Sequence, residues 1–229
     1  VKTIEENLKL LRKKIERACE RSGRSAEEVV IVAVSKFVEV ERIREAIEAG
    51  INVIGENRVQ EAMEKYEALG KQAIWHMVGH LQTNKVKKAL EIFSMIQSLD
   101  SLSLAQEIGR RAAEIKKVVP VLVEVNTSGE STKFGVEPAR ALEFIKLFSG
   151  CKGIAVQGLM TIGPNIPAPE EARKSFRLLA DLRKKAEDSF GRSFRYLSMG
   201  MSGDFEVAIE EGSNMVRIGT AIFGERDAF

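Results

Sequence analysis

One lysine stands where an amine can do covalent chemistry. Lys36 follows Val29-Val30-Ile31-Val32-Ala33-Val34, an unbroken apolar run rich in β-branched residues. Such a run reads as a strand buried on both faces. A lysine leaving it is partly desolvated, which favours its amine as a nucleophile toward aldehydes. A lysine snorkelling out of a strand end explains the same position without chemistry. Far along the chain, Ser202-Gly203 precede Asp204 and Glu206, and Arg217 comes just before Gly219-Thr220. Small residues leave backbone N–H groups accessible and hydroxyls add donors, so both segments suit an anion. Plain capping of a helix by Ser202 is the alternative. An aldehyde-trapping amine facing an anion nest points to a phosphorylated aldehyde, and pyridoxal 5'-phosphate is the commonest such cofactor. An arginine only donates hydrogen bonds, so Arg217 opposite a ring nitrogen would keep that nitrogen unprotonated. A buried Arg217 paired with a carboxylate such as Glu124 competes with that role.

These residues can meet only if the elements between them bring them to one face. Ile4, Leu8, Leu11, Ile15 and Ala18 recur at helical spacing, and Ser22-Gly23-Arg24-Ser25 ends that helix. After the first strand, Val40, Ile43 and Ile47 mark a helix that Gly50 closes. Further strands are predicted near 52–54, 74–78, 95–98, 119–125, 154–158, 195–197 and 215–218. Helical patterns lie between them at about 57–69, 84–91, 102–116, 138–148, 170–189 and 203–211. Strands alternating with helices imply βαβ units and a parallel sheet. The expected fold is α/β: a single (β/α)8 TIM barrel with an extra N-terminal helix, in one domain over 1–229. A doubly wound open sheet is the alternative. Gly163-Pro164-Asn165-Ile166-Pro167-Ala168-Pro169 reads as a loop within the domain.

In such a barrel the working residues stand at the C-terminal strand ends. That rule gathers Lys36, Asn57, His76, Ser198, Ser202, Gly203, Arg217, Gly219 and Thr220, with Met160 as a further wall. Tyr66 falls in a helix away from this mouth and Tyr196 inside the seventh strand. His76 and His80 do not share a helix and have no Cys or carboxylate at ligand spacing, so no metal site is expected. His76 reads as a hydrogen-bonded strand-end residue at the cofactor's edge, and Lys133 as a solvent-exposed residue of the mouth. The Lys85-Val86-Lys87-Lys88 and Arg110-Arg111 clusters read as solvated helix faces.

Composition removes other classes. The 229 residues carry 35 Lys plus Arg against 33 Asp plus Glu, too balanced for a dedicated nucleic-acid binder. No apolar run approaches the length of a membrane span. The first 25 residues are studded with charge and lack an apolar signal core, so a cytoplasmic chain is expected. Cys19 and Cys151 form neither a disulfide framework nor a zinc pattern. No two of the 18 glycines are separated by a single residue, so the dinucleotide G-x-G-x-x-G fingerprint is absent. Walker A, H-E-x-x-H and G-x-S-x-G are absent as well.

Ordered motifs then narrow the class. They are Ala33-Val34-Ser35-Lys36; Gly55-Glu56-Asn57 with Val59-Gln60-Glu61; and Trp75-His76 with Gly79 and Leu81-Gln82-x-Asn84-Lys85. Gly158-Leu159-Met160, Leu197-Ser198-Met199-Gly200-Met201-Ser202 with Asp204 and Glu206, and Val216-Arg217-Ile218-Gly219-Thr220-Ala221-Ile222-Phe223-Gly224 complete them. Together they resemble the YggS/PROSC family, the pyridoxal phosphate homeostasis proteins, over essentially the full length. The resemblance implies a barrel like the N-terminal domain of alanine racemase, with pyridoxal phosphate held as an aldimine (a Schiff base) on Lys36. It further implies phosphate contacts from the serine and Gly-Thr segments and a ring-nitrogen contact from Arg217.

Two functions follow. The first is intracellular pyridoxal phosphate homeostasis: binding and release without a fixed turnover reaction, with apo pyridoxal-phosphate enzymes as partners and a monomer or weak dimer as the expected state. The second is an amino-acid racemase-like enzyme, which needs a base on each face of the cofactor. Alanine racemases draw that second base from a β-rich domain, for which the chain ending at Phe229 leaves no room. An aldolase-type sugar-phosphate enzyme using Lys36 fits the lysine but leaves the motifs unexplained.

Overall fold

The computed structural model describes residues 2–164 and 168–225. Its first element is helix α1 (Ile4–Arg21), started by reciprocal bonds. Thr3 Oγ1 accepts from the Glu6 N–H at 3.2 Å and Glu6 Oε2 from the Thr3 N–H at 2.9 Å. Its buried stripe is the one that the spacing predicts, Ile4, Leu8, Leu11, Ile15 and Ala18 with Cys19. Truncating Leu8 or Leu11 to alanine there costs about 2–5 kcal/mol.

Eight parallel strands then close on themselves in chain order. They are β1 (Val30–Val34), β2 (Val53–Glu56), β3 (Ile74–Met77), β4 (Met95–Leu99), β5 (Val119–Glu124), β6 (Ile154–Met160), β7 (Tyr196–Ser198) and β8 (Met215–Ile218). β8 returns to β1 with Arg217 opposite Val32. The helices are α2 (Val40–Glu48), α3 (Val59–Leu69), α4 (Val86–Ile92), α5 (Leu102–Glu114), α6 (Ala141–Ser149), α7 (Arg173–Phe190), α8 (Phe205–Glu210) and α9 (Thr220–Phe223). The closed TIM barrel is the architecture that the sequence predicts, and the open-sheet alternative falls away.

Successive residues of a strand face opposite ways, which divides the apolar core in two. Val32, Val53, Val78, Met95, Leu122, Met160 and Met215 pack together inside the barrel. Ala33, Ile54, Trp75, Ile96, Val121, Val123 and Val216 join the helix faces outside it. α1 adds its stripe to that outer layer, against α8 and α9.

Departures from the sequence reading have local causes. β2 continues to Glu56 and β7 to Ser198 because both polar side chains are fully buried with partners. β6 runs on to Met160 past Gly158, where a Cβ would stand 1.9 Å from the Tyr196 carbonyl oxygen. Glycine alone permits that approach. The helix after β7 begins at Phe205, so Ser202 is not its N-cap and Asp204 lies before its first turn. Gly219-Thr220 opens α9, too short for any periodicity, rather than a loop. Of the proline-rich segment, Pro169 starts a 3₁₀ turn, and 165–167 lie outside the described residues.

Candidate functional site

A cavity of about 340 Å³ opens at the C-terminal end of the strands. β1 contributes Val34 and, just beyond its end, Lys36; the segment after β2 contributes Asn57 and that after β7 contributes Ser202 and Gly203. β8 contributes Arg217, and the turn into α9 contributes Gly219 and Thr220. Val78, Ile162 and Met201 complete the wall, so an amine, a guanidinium, a carboxamide and hydroxyl groups share the lining with apolar side chains. Seven of the ten candidate residues therefore meet in one place: Lys36, Asn57, Ser202, Gly203, Arg217, Gly219 and Thr220.

Arg217 is buried at 4 % exposure and held from two sides. Its Nη1 donates to Ser198 Oγ at 2.7 Å and its Nη2 to the Thr161 carbonyl oxygen at 2.7 Å. Ser198 Oγ donates onward to Gln97 Oε1 at 2.7 Å, and Gln97 Nε2 meets His76 Nδ1 at 3.0 Å. A hydrogen-bonded chain thus runs from the cavity wall into the barrel. Ser198 and His76 belong to that chain, and Met160 to the inner apolar layer; none of the three lines the cavity. His76 is hydrogen-bonded as expected but is not a cavity-edge residue.

Burial sets the electrostatics. It lowers the Arg217 guanidinium to about 10, opposed by the nearby charges of Glu124 and Asp204, so Arg217 remains a cation near neutral pH. Glu124 is pushed up to about 7, first by burial and then by Asp100, against the pull of Arg217. Among the described residues no carboxylate oxygen makes a direct hydrogen bond to Arg217; its partners are a hydroxyl and a carbonyl. Asp204 is likewise raised by burial while its Oδ1 accepts the Met201 N–H at 2.6 Å. Burial holds His76 down to about 4, so it is neutral near pH 7.

At the anion-type end, Ser202 Oγ accepts from the N–H groups of Gly219 at 3.3 Å and Ala221 at 3.2 Å. Those amides therefore converge on the cavity wall. A Cβ on Gly203 would meet nothing within 4 Å, so packing does not require glycine there. Gly79 is different: its Cβ would fall 2.5 Å from the Asn57 carbonyl oxygen, so glycine lets the segment after β3 lie on Asn57.

The mouth also holds residues with other roles. Lys133 Nζ donates to Glu130 Oε1 and to the Gly163 carbonyl oxygen, each at 2.7 Å, so it is a paired residue rather than a solvated one. His80 stacks on Phe134 with ring centroids 3.9 Å apart and meets Asp100 Oδ2 at 3.1 Å. Arg110 and Arg111 are bridged to Glu107 and Glu114 on the same helix. Sequence reasoning gave no role to Gln97, Thr161 or a cluster of the buried Glu56 and Lys65 with the half-buried Glu61. The i,i+4 spacing of Glu61 and Lys65 was the signal available for the last.

Fold and cavity together define a class. Residues 3–227 match the family model described as alanine racemase, N-terminal domain. An alanine racemase of Clostridium difficile superposes with a TM-score of 0.77 at 18% identity, over 97% of this chain and 60% of that one; at that identity the likeness concerns the fold. A pyridoxal phosphate homeostasis protein of Aquifex aeolicus is 47% identical over 96% of this chain and 97% of its own. The Escherichia coli protein of that name is 40% identical over 98% and 97%. PipY of Synechococcus elongatus, solved with PLP bound, gives a TM-score of 0.84 at 32% identity, over 97% of this chain and 100% of that one. The chain belongs to the family of pyridoxal phosphate homeostasis proteins.

Proposed function

We propose that this chain binds pyridoxal 5'-phosphate reversibly on Lys36 and serves its homeostasis, holding the cofactor and releasing it to apo enzymes in the cytoplasm without a turnover reaction of its own. The observation that carries this reading is the single cavity shared by Lys36, Arg217, Ser202, Gly219 and Thr220.

The residues fit the group. The aldehyde supplies reversible carbon–nitrogen bond formation with an amine, one water leaving as the bond forms. Lys36 presents that amine from the end of β1. Ser202, Thr220 and the backbone around Gly219 would take the phosphate, with hydroxyl and amide donors matching its oxygens. Gly203 would allow close approach at a position where the fold itself does not demand glycine. Arg217, held rigidly by Ser198 and Thr161, would donate to the ring nitrogen and disfavour its protonation. An unprotonated ring is a weaker electron sink, so the arginine lends less support to carbanion chemistry than an acidic partner would. Asn57 would close the side toward the segment after β3. Ser198 and His76 would act behind the wall, on Arg217 rather than on the ligand.

The racemase-like alternative needs a second base facing Lys36. The chain has two tyrosines. Tyr66 packs edge-on against Trp75 with centroids 5.9 Å apart, and Tyr196 sits at the start of β7; neither lines the cavity. A chiral assay on alanine beside reactivation of an apo pyridoxal-phosphate enzyme distinguishes the two. Reactivation that survives a trap for free cofactor is expected, with negligible racemisation. Turnover of about 1 s⁻¹ or faster would overturn the proposal.

A further inference from the structure

We infer that Lys65 is a buried positioning residue that clamps the backbone on both sides of Lys36. This rests on the reading of Lys36 as the aldehyde-binding amine. Lys65 is 6 % exposed, unusual for a lysine, and lies on α3 behind the cavity wall. Its Nζ donates to three acceptors: the Ser35 carbonyl oxygen at 2.5 Å, Glu61 Oε1 at 2.6 Å and Glu56 Oε1 at 2.7 Å.

Each acceptor leads back to the residues flanking Lys36. The Ser35 carbonyl also accepts the Val38 N–H at 3.0 Å, closing a turn around Lys36. Glu56 Oε1 accepts from Ser35 Oγ at 2.5 Å, while the buried Glu56 Oε2 has no hydrogen-bond partner, so that carboxylate is committed to the Ser35 side. Glu61 Oε1 accepts the Phe37 N–H at 2.5 Å. One ammonium thereby fixes the carbonyl and hydroxyl before Lys36 and, through Glu61, the amide after it.

The backbone itself shows the constraint. Phe37 has φ of +59°, a left-handed conformation that a bulky residue avoids. Its ring is 62 % exposed, so burial of the side chain does not hold it there. The Glu61 and Lys65 contacts do, and the sharp turn they stabilise directs Lys36 from β1 into the cavity. Three buried or half-buried charged groups serve one short turn, more than the fold needs to end a strand.

The test compares the parent with Glu61→Gln and with the double variant Lys65→Met/Glu56→Gln, which removes the two buried charges together and leaves the half-buried Glu61 as the acceptor of the Phe37 N–H. Dissociation constants are measured for pyridoxal 5'-phosphate and for pyridoxine 5'-phosphate, which keeps ring and phosphate but carries an alcohol in place of the aldehyde. Hydrogen exchange of the Phe37 amide is read by NMR beside that of barrel amides such as Val32. A clamp on Lys36 predicts pyridoxal phosphate weakened about tenfold in the double variant, pyridoxine phosphate unchanged, and Phe37 exchange accelerated while Val32 stays protected. Equal weakening of both ligands, or unaltered Phe37 exchange in both variants, would overturn it. If the parent itself fails to prefer the aldehyde over the alcohol, the reading of Lys36 fails, and Phe37 exchange alone decides the clamp.

Discussion

Arg217 Nη1 donates to Ser198 Oγ at 2.7 Å, and through that hydroxyl the cation at the cavity wall is tied to Gln97 and His76 inside the barrel. β7 and β8 are neighbours in the barrel, so the pair spans two adjacent strands at the end where the cavity opens. Ser198→Ala leaves a buried guanidinium N–H and the Gln97 carbonyl short of a partner. The expected cost is about 1–3 kcal/mol of stability, together with weaker pyridoxal phosphate binding. Denaturant unfolding and equilibrium binding check both. A variant as stable and as tight-binding as the parent would remove the chain's claim to orient Arg217.

Ser202 and Thr220 are expected to discriminate phosphate. Losing one charge-assisted donor costs about 1.5–3 kcal/mol, or roughly tenfold or more in affinity. Ser202→Ala and Thr220→Ala should each weaken pyridoxal 5'-phosphate more than unphosphorylated pyridoxal, measured side by side by titration. Equal losses for the two ligands would contradict a phosphate role.

Gly203 separates binding from folding. A methyl there meets no protein atom within 4 Å, so Gly203→Ala should keep the parent's Tm while lowering affinity for the phosphorylated cofactor. A fall in Tm with unchanged affinity is the opposite outcome and would place the glycine in the fold rather than the site.

Glu124 gives a pH prediction with a definite sign. Its folded value of about 7 lies above the ordinary glutamate range. The native state therefore holds a proton that the unfolded chain has lost, and stability falls as pH rises from about 4.3 toward 7. His76, lowered to about 4, acts in reverse: its contribution is present above about 6.5 and is lost as pH falls through 4. Between pH 4.5 and 6.5, roughly, the two slopes oppose one another. Glu124→Gln removes one of them. Relative to the parent it should gain about 1–3 kcal/mol between pH 5 and pH 8, read by unfolding at both values. A difference that does not grow with pH would show that Glu124 titrates normally.

What the sequence made legible follows from what burial does to local pattern. The β-branched run Val29–Val34 marked its strand because both faces are apolar, and Ile4, Leu8, Leu11 and Ile15 marked α1 because one face is. Lys36, Arg217 and the Ser202 and Gly219 segments can be gathered to one cavity from the sequence because barrel strand ends converge whatever their sequence separation. Glu56, Lys65 and Gln97 were not, because a buried polar residue leaves no period; its partners lie on other elements, as Gln97 and Ser198 do at 101 residues' separation. The sequence puts His76 and Met160 at the wall, and the structure sets them deeper, because a strand pattern gives the end of the barrel but not the depth of each side chain. Lys133 reads as solvated in the sequence because nothing local announces a bond to the Gly163 carbonyl.

The proposed function stands on Lys36 as the amine that carries the cofactor. Incubation with pyridoxal 5'-phosphate, borohydride reduction and peptide mass mapping test it in one measurement. The expected result is a pyridoxyl group fixed on Lys36, with the near-visible absorbance band that precedes reduction absent from Lys36→Ala. A Lys36→Ala protein that keeps the band, or a pyridoxyl group mapped to another lysine in the parent, would contradict it.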